Sequence, residues 1–141
     1  MRYVLDTTAV SAVMRKESAL LTLLKSYRPN DVVTVPPVIA EIQYGIKRLR
    51  NASKKILLLK SERDRLLSII AVLPWLSEAS KKYGEIKTDL ERRGKIIDDF
   101  DIAIAAIAMS HNCGVLTANL KHLVFEHFNF LEEKYNDFHR S

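Results

Sequence analysis

The run Asp-Phe-Asp-Ile-Ala-Ile-Ala-Ala-Ile-Ala, residues 99–108, is apolar on nearly every side beyond its two aspartates. Such a run constrains the fold, because apolar side chains facing all directions need cover. Asp99 and Asp101 are then held against apolar surface, which is costly for a carboxylate unless something pairs with it. Two more acids raise the same question. Asp6 ends the apolar run Tyr3-Val4-Leu5, and Glu41 flanks the apolar stripe of an expected helix. The chain has 22 Lys and Arg against 17 Asp and Glu, so basic partners are available. A divalent cation is the other candidate partner, and it would make the acids a catalytic cluster.

A chain of 141 residues suits one domain with a sizeable core, here residues 1–141. Its 48% hydrophobic and 28% charged content is that of a globular protein rather than a disordered one. No apolar run approaches the roughly 20 residues of a membrane span, so no membrane association is expected. A charged residue interrupts the opening Met-Arg-Tyr-Val-Leu-Asp, unlike a signal peptide. The lone Cys113 excludes an intrachain disulfide and fits a reducing, cytoplasmic location. One cysteine and four scattered histidines give no zinc spacing. The net charge of +5 permits nucleic-acid binding without requiring it.

Short β-branched runs alternate with helical periodicity. Strands are expected at residues 2–5, 32–35, 69–73 and 114–117, with a further edge strand at 128–131. Between them, Ala9, Val10 and Val13, and then Leu20, Leu21 and Leu24, have helical spacing. Pro36-Pro37 suits the first turn of a helix whose apolar arc is Val38, Ile39, Ile42, Ile46 and Leu49. Helices are also expected over about 54–67 and over 77–93, the second ending at Gly94. Asp98 or Asp99 caps the last, which runs to about His111. This alternation predicts an α/β fold with parallel strand pairing. In such folds the active crevice lies beyond the carboxyl ends of the strands. Asp6, Glu41, Asp99, Asp101, Thr117 and Asn119 are all expected near that end.

Several acids around one point repel each other at neutral pH. A hard cation such as Mg²⁺ or Mn²⁺ removes that repulsion, activates water and neutralises charge on a phosphodiester. Glu41 lies about 110° from the centre of its helix's apolar arc, at the flank, with Gly45 leaving space one turn on. Each acid also has a plain structural reading. Asp6 is a candidate helix cap, Glu41 a solvated flank residue, and one of Asp98 and Asp99 a cap. Asp101, just inside an apolar helix, is the hardest to explain structurally.

These residues carry a family resemblance. Tyr-Val-Leu-Asp-Thr-Thr-Ala-Val with Asp6 resembles the opening of PIN-domain proteins. Pro-Pro-Val-Ile-Ala-Glu-Ile-Gln-Tyr-Gly-Ile with Glu41 resembles their second acidic motif. Gly-Lys-Ile-Ile-Asp-Asp-Phe-Asp-Ile-Ala-Ile-Ala-Ala with Asp101 resembles the third, and Leu-Thr-Ala-Asn ending at Asn119 the fourth. The combination is most similar to the VapC-type toxins of toxin–antitoxin pairs, and the tail beyond about residue 130 matches poorly. The resemblance implies a PIN-like three-layer α/β/α sandwich with a mostly parallel sheet of four or five strands. It implies a Mg²⁺- or Mn²⁺-dependent endoribonuclease that acts on RNA, is neutralised by a cognate antitoxin, and forms a homodimer. Asp6, Glu41 and Asp101 would then be catalytic, with Asp6, Asp101 and Asp99 toward the metal. Thr117 and Asn119 would be accessory polar groups that position water or phosphate. Thr8 stands where Asn is common in the family, and Asn119 where many members carry Asp.

Lys47, Arg48, Arg50, Lys54 and Lys55 begin a basic stretch. It is either a solvated helical surface or an electrostatic track for RNA phosphates. An antitoxin arginine entering the acidic pocket is a further option. Apolar side chains around Tyr44 and between Thr8 and Leu24 are candidate partner contacts, with core packing as the ordinary reading. Two other functions remain open: a PIN nuclease for RNA processing or DNA flaps without an antitoxin, and a non-catalytic PIN-like binding module. A phospho-acceptor receiver would need a lysine after a late strand, and Thr117-Ala118-Asn119 offers none at that place.

Overall fold

The computed structural model describes residues 1–50 and 53–118. Four strands are present among them: β1 (Tyr3–Leu5), β2 (Val32–Thr34), β3 (Ala71–Val72) and β4 (Gly114–Leu116). Six α-helices accompany them: α1 (Thr7–Met14), α2 (Ser18–Leu24), α3 (Pro36–Lys47), α4 (Ser53–Ile69), α5 (Ser77–Arg92) and α6 (Asp99–Ser110). A 3-10 turn at Pro29–Asp31 leads into β2. The sheet order is β3-β2-β1-β4 and every pairing is parallel. The expected α/β architecture is therefore the one observed.

The strand order reverses at β1. The chain steps from β1 to β2 to β3, then crosses back to place β4 on the other side of β1. Parallel crossovers are almost always right-handed. Steps in opposite directions then put α1–α4 on one face and α5 and α6 on the other. Packing follows this division, with α1 against α3 and α4, and α5 against α6, while α3 and α6 also touch. The result is a three-layer sandwich around β1, whose Val4 is fully buried.

α6 has the environment its composition demands. Ile102 to Ala108 are all buried, one after another. α3 buries Pro37, Val38, Ile42 and Ile46 and leaves Glu41 half-buried on its flank. Most of the apolar side chains near Thr8 and Leu24 are core: Ala9, Val10, Ala12, Met14, Leu20 and Leu23 are buried.

The expected strand at 69–73 is shorter than its apolar run. α4 continues to Ile69, Ile70 still donates its N–H to Leu66 O at 3.0 Å, and only Ala71–Val72 pair with β2. Helical propagation through Leu66 and Leu67 outcompetes the β-branched run there, because β3 is an edge strand with one neighbour to reward extension. Val35 belongs to the N-cap of α3 rather than to β2. The expected strand at 128–131 and Asn119 lie outside the described residues.

α5 ends as its sequence predicts. Gly94 has φ +67°, Gly94 N–H donates to Glu91 O at 3.0 Å, and Lys95 N–H to Leu90 O at 2.9 Å. That pair of bonds is a Schellman cap, which needs a left-handed residue. Gly84, in the middle of the same helix, is exposed, and a Cβ there would meet nothing within 4 Å. The same substitution should therefore have opposite signs at the two sites. Gly84→Ala should raise unfolding free energy by about 0.5–1 kcal/mol, and Gly94→Ala should lower it by about 1–2 kcal/mol. Urea titration of each variant checks this, and changes of like sign would refute it.

Candidate active site

Parallel strands carry their C-terminal ends to one edge of the sheet, and three elements begin there. Asp6 follows β1 directly. Its N–H extends the β1–β4 ladder by one bond, to Leu116 O at 3.0 Å. The chain then turns into α1, with Asp6 as N-cap and its Oδ1 accepting from Ala9 N–H at 2.9 Å. α3 starts just past β2. α6 runs back toward the start of β4, so its first turn, which holds Asp99 and Asp101, lies at the same edge.

Two adjacent threonines link these pieces. Thr7 Oγ1 donates to Glu41 Oε1 at 2.6 Å, joining α1 to α3. Thr8 Oγ1 donates to Asp6 Oδ1 at 2.7 Å. The Thr8 oxygen also accepts from Ala118 N–H at 3.0 Å and lies 3.0 Å from Thr117 Oγ1. A hydroxyl has one proton. Thr8 gives its proton to Asp6, so Thr117 supplies the proton shared between the two hydroxyls. Thr117 is only 2% exposed and acts on Asp6 through Thr8.

The structure thus brings Asp6, Glu41 and Thr117 together through Thr7 and Thr8. Both bridging threonines flank the acid in the motif, yet Thr7 carried no signal beyond that position. Its partner is 34 residues away and becomes visible only when α1 packs on α3.

The acids of α6 separate into three roles. Asp98 is the cap, accepting from Phe100 N–H at 2.9 Å. Asp99 is exposed and forms an ion pair with Lys87 Nζ of α5 at 3.0 Å. The Lys87 hydrogen bond and charge hold the Asp99 carboxyl below its ordinary value, and the same contact raises Lys87. The contribution of this pair is in place at neutral pH. It is lost as pH falls through the depressed Asp99 value or rises through the elevated Lys87 value. Asp101 is half-buried within the first turn of α6.

Among the described residues, no three Asp, Glu, His or Cys side chains are grouped so as to hold a metal ion. The donor chemistry nevertheless suits a hard cation: carboxylate and hydroxyl oxygens, with the described thiol, Cys113, buried in the core. Mg²⁺ needs only one or two protein carboxylates, completing its shell with water and phosphate.

Lys47, Arg48 and Arg50, at the end of α3, are exposed, as are Lys54 and Lys55 at the start of α4. Arg48 and Lys55 line a cleft that also contains Glu41 and Thr7. Lys47 lies on a separate depression with Lys60 and Arg63.

Residues 3–130 match the PIN domain. The chain belongs to the PIN domain family. Ribonuclease VapC2 of Rickettsia felis is 31% identical over 86% of this chain and 89% of its own length. The crystal structure of FitAcB from Neisseria gonorrhoeae contains a chain 27% identical, with a TM-score of 0.73, covering 83% of this chain and 87% of that chain. VapBC2 from Rickettsia felis, bound to a DNA fragment from its promoter, shares the fold at TM-score 0.77 and 24% identity, covering 91% and 96%. No helix among the described residues is long and apolar enough to cross a membrane.

The Thr8 bridge yields a stability prediction. Thr8→Val keeps the volume but removes the hydroxyl that serves Asp6, Thr117 and Ala118. It should cost about 1–3 kcal/mol, while Thr8→Ser should recover most of the loss. Unfolding midpoints check this, and a Thr8→Val protein as stable as the parent would show the bridge carries no weight.

Proposed function

We propose that this PIN domain is the toxin of a toxin–antitoxin pair: a metal-dependent endoribonuclease that hydrolyses RNA phosphodiester bonds. The observation that carries the reading is the linked pair of carboxylates, Asp6 and Glu41, at the carboxyl edge of a parallel sheet. Its support from outside the chain is the ribonuclease and the toxin named among its relatives.

In this reading Asp6 and Asp101 hold a divalent cation, Mg²⁺ or Mn²⁺. When bound, the cation lowers the pKa of a water and neutralises charge on the phosphate. Glu41 orients or deprotonates the attacking water. Thr7 holds the Glu41 carboxylate on the α1 side. Thr8 steers Asp6, with Thr117 behind it and Asn119 as a further polar contributor. Asp99 joins only by releasing Lys87, so it serves as an outer group. RNA is the substrate, an antitoxin protein covers the site, and the chain pairs with a second copy.

Asparagine at position 6 retains the cap, because it also accepts from Ala9 N–H. Asp6→Asn should therefore fold as the parent does and lose RNA cleavage by about a hundredfold or more, as expected when several kcal/mol of transition-state stabilisation are lost. Asp101→Asn should behave alike. The assay is incubation of total RNA with Mg²⁺ or Mn²⁺, followed by mapping of new 5′ ends. Parent-like cleavage by either variant overturns the assignment of that residue. An inert parent protein overturns the nuclease and leaves a binding module.

A further inference from the structure

A cleft of about 490 Å³ opens beside Glu41, between α1, α3 and α4. Its size lies within the range of small-molecule sites. Met14, Ile42, Ile46 and Leu59 give it apolar surface, and Tyr44, Arg48 and Lys55 stand on its rim. Among the described residues Glu41 is its one carboxylate, and Thr7, bonded to Glu41, lies next to it.

The rim follows from helix geometry. Glu41, Tyr44, Gly45 and Arg48 succeed one another at three- and four-residue spacings along α3, so they line one side of the helix. Tyr44 is 68% exposed, an unusual position for so large a ring on a helix that buries four other side chains. The Arg48 guanidinium lies 5.8 Å from the Tyr44 ring centroid and restricts where the ring can go. Gly45 leaves the wall open, since a Cβ there would meet nothing within 4 Å. Arg15, also on the cleft, is engaged by Glu17 at 2.8 Å. Among the described residues neither Arg48 nor Lys55 is paired with a carboxylate.

We infer that this cleft is a nucleotide subsite. Tyr44 stacks on an unpaired base of single-stranded RNA adjacent to the scissile phosphate, and Arg48 and Lys55 contact the flanking phosphates. The inference rests on the ribonuclease reading above and specifies how its substrate is held. An exposed aromatic ring with cations on the same cleft is the arrangement by which single strands are gripped without base pairing. A base-paired strand cannot offer a free face to Tyr44, so the subsite selects loops and single strands.

The test uses the whole 141-residue chain and a short, end-labelled single-stranded RNA spanning a site that the parent protein cleaves. Tyr44→Ala should raise KM about tenfold with little change in kcat, since stacking on an aromatic ring is worth this order per base. Tyr44→Phe should stay near the parent. Gly45→Leu, which fills the wall of the cleft, should raise KM as Tyr44→Ala does. Arg48→Ala should flatten the dependence of log affinity on log salt by about 0.7, the value of one single-strand phosphate contact. A parent-like KM for Tyr44→Ala overturns the subsite and leaves the nuclease standing, whatever that variant does to protein partners. A parent that cleaves no RNA removes both.

Discussion

Parallel pairing of β1 with both its neighbours is the constraint on which the rest of this molecule depends. Val4 is buried between β2 and β4, and the ladder to β4 runs one bond beyond the strand, through Asp6 N–H to Leu116 O. That bond settles where the chain leaves the sheet and hence where the Asp6 carboxylate stands. Because all pairings are parallel, α3 departs from the same edge and α6 begins there. Strand order reverses at β1, so helices from opposite faces reach a common crevice.

Charge at that edge is managed by short hydroxyl side chains. Thr7 and Thr8 are consecutive, yet one turns to α3 and the other to the exit of β4. Each carboxylate thereby keeps a hydrogen bond in the half-buried setting that would otherwise penalise it. The other acids are dealt with differently. Asp98 is satisfied by its own helix N-terminus, and Asp99 by Lys87 from the neighbouring helix. Similar residues within four positions thus have distinct work, set by what packs beside them.

The basic stretch also divides on folding. Arg48 and Lys55 share the cleft beside Glu41, whereas Lys47 faces another depression. The helical period explains this, since neighbours in sequence point about 100° apart around an α-helix. A count of positive charges along residues 47–55 could identify a basic region but not which of its residues face Glu41.

Much of this was legible without coordinates. Alternating β-branched and amphipathic runs dictated the parallel α/β order, the glycine at 94 marked the end of α5, and the all-apolar run after Asp101 announced a buried helix. Those are local properties: propensity, periodicity and the left-handed conformation that glycine tolerates. The extent of β3 was not local, because α4 and the sheet edge compete for the same residues. Nor were the Thr7–Glu41 contact, 34 residues apart, or the Thr8–Thr117 contact, 109 apart. Sequence by itself singled out Asp6 and Glu41 as candidates and the edge of the sheet where they stand. Only the tertiary structure decided which hydroxyl holds which carboxylate, because hydrogen bonds reach about 3 Å and that proximity exists only once the helices have packed.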